Sequence, residues 1–391
     1  MSSLRIGAGL STRIDAASAL AEAVYEATAT FGDAIPNLVC CFITDDHRDS
    51  ADEISASLGA RFPAAAVIGC TTSGVIAGHE ELEHGPAISV LMAFLPDTRV
   101  IPFGLRFSGS ELDADPEYLG WPDLAPDATI LLLCDRFSFP AGHLVQYLNE
   151  TRPGQLVLGG VTAGGHEQGD TRLFYSGKLF DEGAVGVAIE GRIRVHPIVS
   201  QGCRPIGAPM TVTRADRNIV FELAGEKPIE TIKNIWQAAD TRDRSLMQNG
   251  LQLGRVVDEY QTEFGRGDFV IRPVMGADPN QGIIAVGDVV EVGSTVQFHV
   301  RDPETADEDL QKLLDNLAFD PIGAVLFTCN GRGLNLFPDP DHDATQISEA
   351  TGVPLAGMFC GGELGPVAGR NFLHGFTASI AFLEDTHRQR R

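Results

Sequence analysis

Basic residues and long apolar segments are both scarce in this sequence. Lysine and arginine together number 29 against 53 aspartates and glutamates, which gives a formal net charge of -24 at pH 7. A chain this acidic repels phosphate backbones, so we do not expect a nucleic-acid partner. The longest apolar runs, such as 64–69 and 129–134, are far shorter than a membrane span. The first residues lack a basic start followed by an apolar core, so we expect no signal peptide and no membrane partner.

Cysteines are few and are not arranged as a disulfide framework or a metal site. There are seven, an odd number, with Cys40 and Cys41 adjacent and no C-x-x-C pair. This usage is typical of reduced thiols in the cytoplasm. The sequence also lacks a phosphate-binding loop, an H-E-x-x-H helix and a G-x-S-x-G turn. We therefore expect no cofactor and no metal.

Two acidic clusters have ordinary structural explanations. Asp339, Asp341 and Asp343 imitate the start of a calcium loop, but Ala344 stands where the template needs glycine. Helix capping is the better interpretation of these aspartates, with Asp343 opening a helix and Gln346 completing a capping box. The glutamates of residues 80–83 are interpreted as a solvated turn. Five scattered histidines show no ligand-like spacing: His47, His79, His84, His143 and His166.

Length and composition predict more than one globular domain. The chain has 391 residues, with 43% hydrophobic and 21% charged residues. That is too long for one ordinary core, so at least two domains are expected. The segment 201–207, Gln-Gly-Cys-Arg-Pro-Ile-Gly, interrupts the strand pattern. We place the boundary there, giving domains 1–205 and 206–391.

One order of elements recurs three times along the chain. Short apolar runs at 38–43, 129–134 and 324–329 each precede a helical pattern, a second apolar run and a glycine-rich turn, and two longer strands follow in the first two copies. A strand–helix–strand crossover makes its two strands parallel, while strands joined by short turns are antiparallel. The prediction is an α/β (mixed α+β) fold with mixed sheets and helices on their faces. The looser segment 206–320 is interpreted as a degraded fourth unit, giving two lobes of two units.

The most distinctive stretch runs from 355 to 376, LAGMFCGGELGPVAGRNFLHGF. Its two ends belong to a set of segments that occur together: Val67–Thr71, Gly85–Val90, Gly202–Gly207, Cys329–Gly333, Pro354–Gly357 and Gly369–Phe376. On these segments the chain resembles the FIST family, with its paired FIST-N and FIST-C domains, from about residue 36 to 382. The resemblance implies an intracellular sensory domain for signal transduction that binds a small ligand such as an amino acid, and a signalling protein partner.

An amino-acid ligand needs a cation for its carboxylate and an acceptor for its amine. Arg370 offers a planar two-donor grip, Glu363 an acceptor, and Asn330 and Asn371 serve either end. Ligands of open α/β sheets gather at the carboxyl ends of strands, so the loops after the two parallel strands of the third unit should be neighbours. Backbone amides of the glycine turns help to hold an anion. The candidate ligand-binding residues are Asn330, Gly331, Arg332, Cys360, Gly361, Gly362, Glu363, Arg370 and Asn371.

Three other interpretations stay open. Glu363 and Arg370 could simply pair, with the glycines fitting tight turns between buried strands. A cysteine-dependent acyl-transfer or redox enzyme could use Cys360 or Cys329 with His342 or His374. A cysteine without such a role is more often a buried side chain that packs in the core. The acidic surface could also belong to an adapter that binds a basic protein.

Overall fold

The computed structural model describes residues 4–109, 117–261 and 263–388. The chain divides into two compact units. The first unit comprises the chain up to Val199, Leu310–Leu373 and the segment from Thr377 onward. The second comprises Ser200–Asp309 and His374–Phe376.

The helices are short, and three 3₁₀ turns, at Asp45–Ser50, Arg266–Asp268 and Gly333–Asn335, accompany them. Asp15 caps the first helix, its carboxylate accepting from the Ser18 N–H at 2.8 Å. Within the described ranges, no helix is both long and apolar enough to cross a membrane. The helices are α1 (Ala16–Ala27), α2 (Ala51–Arg61), α3 (Ala141–Thr151), α4 (Pro228–Ala238), α5 (Thr241–Gln248), α6 (Pro303–Asp315) and α7 (His342–Thr351).

Strands make up more of the described chain than helices do. In chain order they are β1 (Arg5–Ser11), β2 (Leu38–Thr44), β3 (Ala66–Thr72), β4 (Val75–Ala77), β5 (Glu80–Leu82), β6 (Ile88–Phe94), β7 (Thr98–Ser108), β8 (Glu117–Leu119), β9 (Thr129–Cys134), β10 (Val157–Thr162), β11 (Leu173–Tyr175), β12 (Lys178–Phe180), β13 (Ala184–Gly191), β14 (Ile193–Gln201), β15 (Cys203–Asp216), β16 (Ile219–Leu223), β17 (Leu251–Val256), β18 (Phe269–Asp278), β19 (Ile283–Val286), β20 (Thr295–Arg301), β21 (Pro321–Cys329), β22 (Leu355–Val367), β23 (Arg370–His374) and β24 (Thr377–Asp385).

The first unit contains two mixed sheets. The smaller has the order β1-β6-β2-β3-β11-β12, and the larger follows β14-β24-β21-β22-β10-β9-β13-β7-β8. In the larger sheet β23 also pairs with β22, and β4 pairs with both β22 and β5. The pairs β2/β3, β9/β10 and β21/β22 are parallel, as expected for strands linked by a helical crossover. The predicted mixed α/β class is confirmed.

Apolar side chains from both sheets of the first unit form one core between them. The ring of Phe42 on β2 meets that of Phe327 on β21 edge-on, with centroids 6.2 Å apart. Helices cover the outer faces, α1 and α2 on the smaller sheet and α3 and α7 on the larger. Helix α1 packs directly on the backbone of β1, since a Cβ atom at Gly7 would lie 2.0 Å from the Ala27 carbonyl oxygen. These layers explain why the short strands are apolar on both faces.

The second unit is built differently from the degraded fourth copy that the sequence suggested. Six of its strands close into a barrel with the order β15-β16-β19-β18-β17-β20. Helices α4 and α5 pack against it through Trp236 and Met247. The interpretation as a further strand–helix–strand unit was therefore wrong, because the neighbouring barrel strands are all antiparallel.

Candidate functional site

The ends of two parallel strands place Asn330 and Cys360 side by side in the first unit. Cys329 on β21 is directly opposite Cys360 on β22. The Asn330 N–H donates to the Cys360 carbonyl oxygen at 2.8 Å. The side chain of Asn330 is exposed to solvent. The expected meeting of these two segments is therefore present, and we refer to this region as the candidate site.

The glycine-rich segment is a bulged strand and not the turn that was expected. Strand β22 continues to Val367, pairing with β10 along its second half. The register shifts where Thr162 faces Cys360 and Val161 faces Gly362, which leaves Gly361 as an extra residue. An extra residue of this kind bends a strand and leaves its backbone unpaired. Gly361 is exposed while Gly362 is buried, so the bulge lies at the edge of the candidate site.

Glu363 is the most unusual side chain of the candidate site. It is fully buried, and its Oε2 accepts from the Thr377 hydroxyl at 2.9 Å and the Thr377 N–H at 3.2 Å. Its Oε1 has no hydrogen-bond partner among the described residues. Burial raises the pKa of the Glu363 carboxyl to about 8, and the donors of Thr377 and the thiol of Cys329 lower it by less. At neutral pH this group is mainly a neutral acid.

Arg332, two residues after Asn330, forms a buried ion pair with Asp343. Its Nε and Nη2 donate to the two carboxylate oxygens of Asp343 at 2.8 and 2.7 Å, and both residues are buried. The Thr328 hydroxyl donates to the same carboxylate at 2.7 Å. Although burial opposes ionisation, Arg332 holds the pKa of Asp343 well below its usual range. Asp343 therefore lies inside α7 as an ion-pair partner, and the predicted capping box was wrong.

Glu81 joins this cluster from the short hairpin of β4 and β5. It is only 5% exposed, so its interpretation as part of a solvated turn was wrong. Its Oε1 accepts from the Ala344 N–H at the start of α7 at 2.8 Å, while Oε2 has no hydrogen-bond partner in the described chain. Burial and the nearby Asp343 raise the pKa of Glu81 to about 8, against the opposing effect of Arg332. The sequence of β5, Glu-Glu-Leu, gave no sign that the second glutamate would be buried.

Arg370 and Asn371 do not belong to the candidate site as predicted. Arg370 begins β23 and is exposed, and no ion pair joins it to Glu363 in the part of the chain that the structure describes. Asn371 is buried and hydrogen-bonds to the backbone at the start of β10 and just before it. Its Oδ1 accepts from the Val157 N–H at 2.9 Å, and its Nδ2 donates to the Gln155 carbonyl at 2.8 Å. These bonds give Asn371 a structural role.

The thiols show little sign of nucleophilic activation. Burial raises the pKa of Cys360 well above its ordinary value, and the neighbouring Glu363 raises it further. Cys329 is also buried, and its sulfur accepts from the Gly331 N–H at 3.4 Å. The ring of His342 stacks on Phe337, and His374 belongs to the second unit. The geometry therefore gives little support to a cysteine-dependent enzyme.

A metal is not indicated by the side chains. The Oδ1 atom of Asp341 accepts from the Glu81 N–H at 2.6 Å, and Asp343 is occupied by Arg332. Within the described residues, no group of three or more His, Cys, Asp or Glu side chains is arranged to hold a metal ion. Asp341 and Asp343 therefore act in a hydrogen bond and an ion pair.

Most of the chain matches the models of two protein-family domains. Residues 37–226 match the FIST N domain and residues 230–366 match the FIST C domain. An uncharacterized protein of Mycobacterium tuberculosis strain H37Rv is 43% identical over 387 residues, covering 98% of this chain and 100% of the relative. An uncharacterized protein of Mycobacterium bovis is 40% identical over 394 residues, covering 98% of this chain and 99% of the relative.

Proposed function

Because the chain belongs to the FIST family, whose domains are generally sensory domains that bind small ligands in signal transduction, we propose that it is a non-enzymatic cytoplasmic sensor of a small polar metabolite. The ligand binds in the first unit at the candidate site, and it carries a protonated amine. An amino acid is the first candidate, and a signalling protein would read the bound state.

The observation that carries this proposal is the unpaired oxygen of Glu363. A buried carboxyl with an unsatisfied oxygen costs free energy unless a donor reaches it. An ammonium group supplies both the donor and the compensating charge. Gly361, two residues before Glu363, and Asn330, which pairs with Cys360, are exposed to solvent, and the ligand would enter beside them. Since Glu363 itself is buried, a ligand reaches it only when the loop that begins at Asn330 moves.

The candidate-site residues have different parts in this proposal. Glu363 accepts the amine through Oε1, and Asn330 with the amides of Gly331 and Gly361 binds the polar remainder of the ligand. Arg332 contributes through its Nη1, which has no hydrogen-bond partner among the described residues. Cys360 and Gly362 line the buried strand beneath. Arg370 and Asn371 are left out because of where the fold places them.

A thermal-shift screen of amino acids and other small amines tests the proposal, because a ligand that binds only the folded state raises the melting temperature. We expect at least one amine to stabilise the wild type, and Glu363→Gln to abolish that shift. Glu349→Gln is the matched control, since Glu349 is exposed on α7 of the same unit. An equal shift in Glu363→Gln, or no hit across the whole screen, would overturn the proposal.

A further inference from the structure

Two thiols lie on neighbouring strands at the base of the candidate site. Cys329 and Cys360 are directly opposite each other in the parallel pair β21/β22. Neighbouring strands are about 4.8 Å apart, which lies within the Cα separation of roughly 4.4–6.8 Å that a disulfide spans. Their backbones are therefore placed at bridging distance without any change of register.

Both side chains also point to the same face of the sheet. Phe327 and Met358, each two residues earlier in its strand, belong to the core between the sheets, and so does Cys360. Since alternate residues of a strand share a face, Cys329 points the same way. Cys329 is also one of the ionisable groups close enough to affect the ionisation of Cys360. The two sulfurs therefore belong to one local cluster.

From this placement we propose that Cys329 and Cys360 form a reversible disulfide when the protein meets a hydroperoxide. The pair is a redox modification site at the base of the candidate site, and it does not depend on the identity of any ligand. Closing the bond cross-links β21 to β22 directly below the loop that begins at Asn330.

The chemistry begins at Cys329. It is 5% exposed against 0% for Cys360, so a small hydroperoxide reaches its sulfur first, and that sulfur accepts from the Gly331 N–H at 3.4 Å. The Cys329 sulfur attacks the peroxide O–O bond to give a sulfenic acid, and the departing alkoxide takes up the thiol proton as an alcohol. The Cys360 sulfur then forms the S–S bond by displacing hydroxide, which leaves as water with the second proton. Two thiols are oxidised and one hydroperoxide is reduced.

The second step requires a rotation of the Cys360 side chain. A Cβ atom placed on Gly160 would lie 2.2 Å from the Cys360 sulfur, which shows that this sulfur points towards β10. Rotation about the Cα–Cβ bond turns it towards β21. The high pKa of the buried Cys360 thiol makes this step slow, so the sulfenic acid of Cys329 accumulates first.

Peptide mapping of the intact protein after exposure to hydrogen peroxide tests the proposal. We expect a dimedone adduct on Cys329 at early times, and later a Cys329–Cys360 peptide pair, with the loss of two hydrogens, that dithiothreitol reverses. Cys329→Ala should abolish both products. Cys203→Ala, a buried thiol of the second unit, should leave them unchanged.

Other patterns of oxidation would overturn the inference. The competing neighbours of Cys360 are Cys70 and Cys134, and a bridge from Cys360 to either of them would contradict the proposed pair. Oxidation of Cys329 only to sulfinic acid, with no bridge, would also contradict it. Because the mapping is performed on the wild type, the result stands even if an alanine variant folds poorly.

Discussion

Replacing Glu363 with glutamine removes a buried acid whose proton is held by the fold. The ordinary pKa is 4.5, and burial raises it to about 8. A raised pKa means that the folded state keeps the proton after the unfolded chain has released it. The resulting stability is fully present below pH 4.5 and is lost as the pH rises through about 8. The wild type should therefore become less stable across this window.

The expected magnitude follows from the two pKa values. Each pH unit between them corresponds to ~1.4 kcal/mol, so at pH 7 the loss from Glu363 alone is on the order of 3 kcal/mol. Glutamine has the size of the protonated acid, does not ionise, and keeps a carbonyl oxygen for the donors of Thr377. Glu363→Gln should thus match the wild type near pH 4 and exceed its stability at pH 7. Glu81, whose pKa is also about 8, should keep a pH dependence of its own in both proteins.

Urea unfolding at constant ionic strength between pH 4 and 9 measures this difference. The sequence has two tryptophans, Trp121 in the first unit and Trp236 in the second. In a Trp236→Phe background, the fluorescence of Trp121 reports on the unit that contains Glu363. Glu349→Gln should follow the wild type at every pH. Equal pH dependence in Glu363→Gln and the wild type would refute the reasoning.

Two further perturbations test the packing around the candidate site. Arg332→Met leaves the carboxylate of Asp343 buried without its cationic partner and should lower the free energy of unfolding, measured in urea, by about 3–5 kcal/mol. Adding Asp343→Leu should recover much of this loss. A double variant no more stable than Arg332→Met would contradict the ion-pair account. Gly160→Ala should destabilise by about 1–3 kcal/mol because its Cβ would overlap the Cys360 sulfur, and Cys360→Ala should suppress that cost in the double variant. Additive losses in this second pair would show that the two positions do not touch.

Local sequence patterns predicted the buried strands and one contact between segments that are distant in the sequence. The apolar runs before Thr44, Asp135 and Asn330 were too short for helices, and each became a buried strand with a parallel neighbour. Because the third crossover returns beside its own first strand, the sequence also predicted that Asn330 would meet Cys360. These inferences needed only the periodicity of the chain and the geometry of a crossover.

The parts that failed depend on contacts that no local pattern records. Glu81 is 262 positions from Asp343 in the sequence, and only the pairing of β4 with β22 brings them together. Asn371 is polar like a ligand-binding residue, but its partners are Val157, the first residue of β10, and Gln155 just before that strand. The glycines of β22 permitted a turn, yet pairing with β10 draws them into a bulged strand. The burial of Glu363 follows from the same pairing.

If an amine binds at the candidate site as proposed, the charges around Glu363 predict how its binding depends on pH. Arg332 is neutralised by Asp343, so two ionised glutamates nearby would leave uncompensated negative charge in a buried place. The protein avoids this by keeping both as acids, and a bound ammonium allows Glu363 to ionise. Binding at pH 7 should then release close to one proton, which calorimetry in buffers of different ionisation enthalpy detects. The apparent affinity for the amine should rise about tenfold per pH unit until it levels near pH 8. An analogue of the ligand in which hydrogen replaces the amino group should bind weakly at every pH. Proton uptake on binding, or tighter binding at low pH, would exclude Glu363 as the acceptor of the amine.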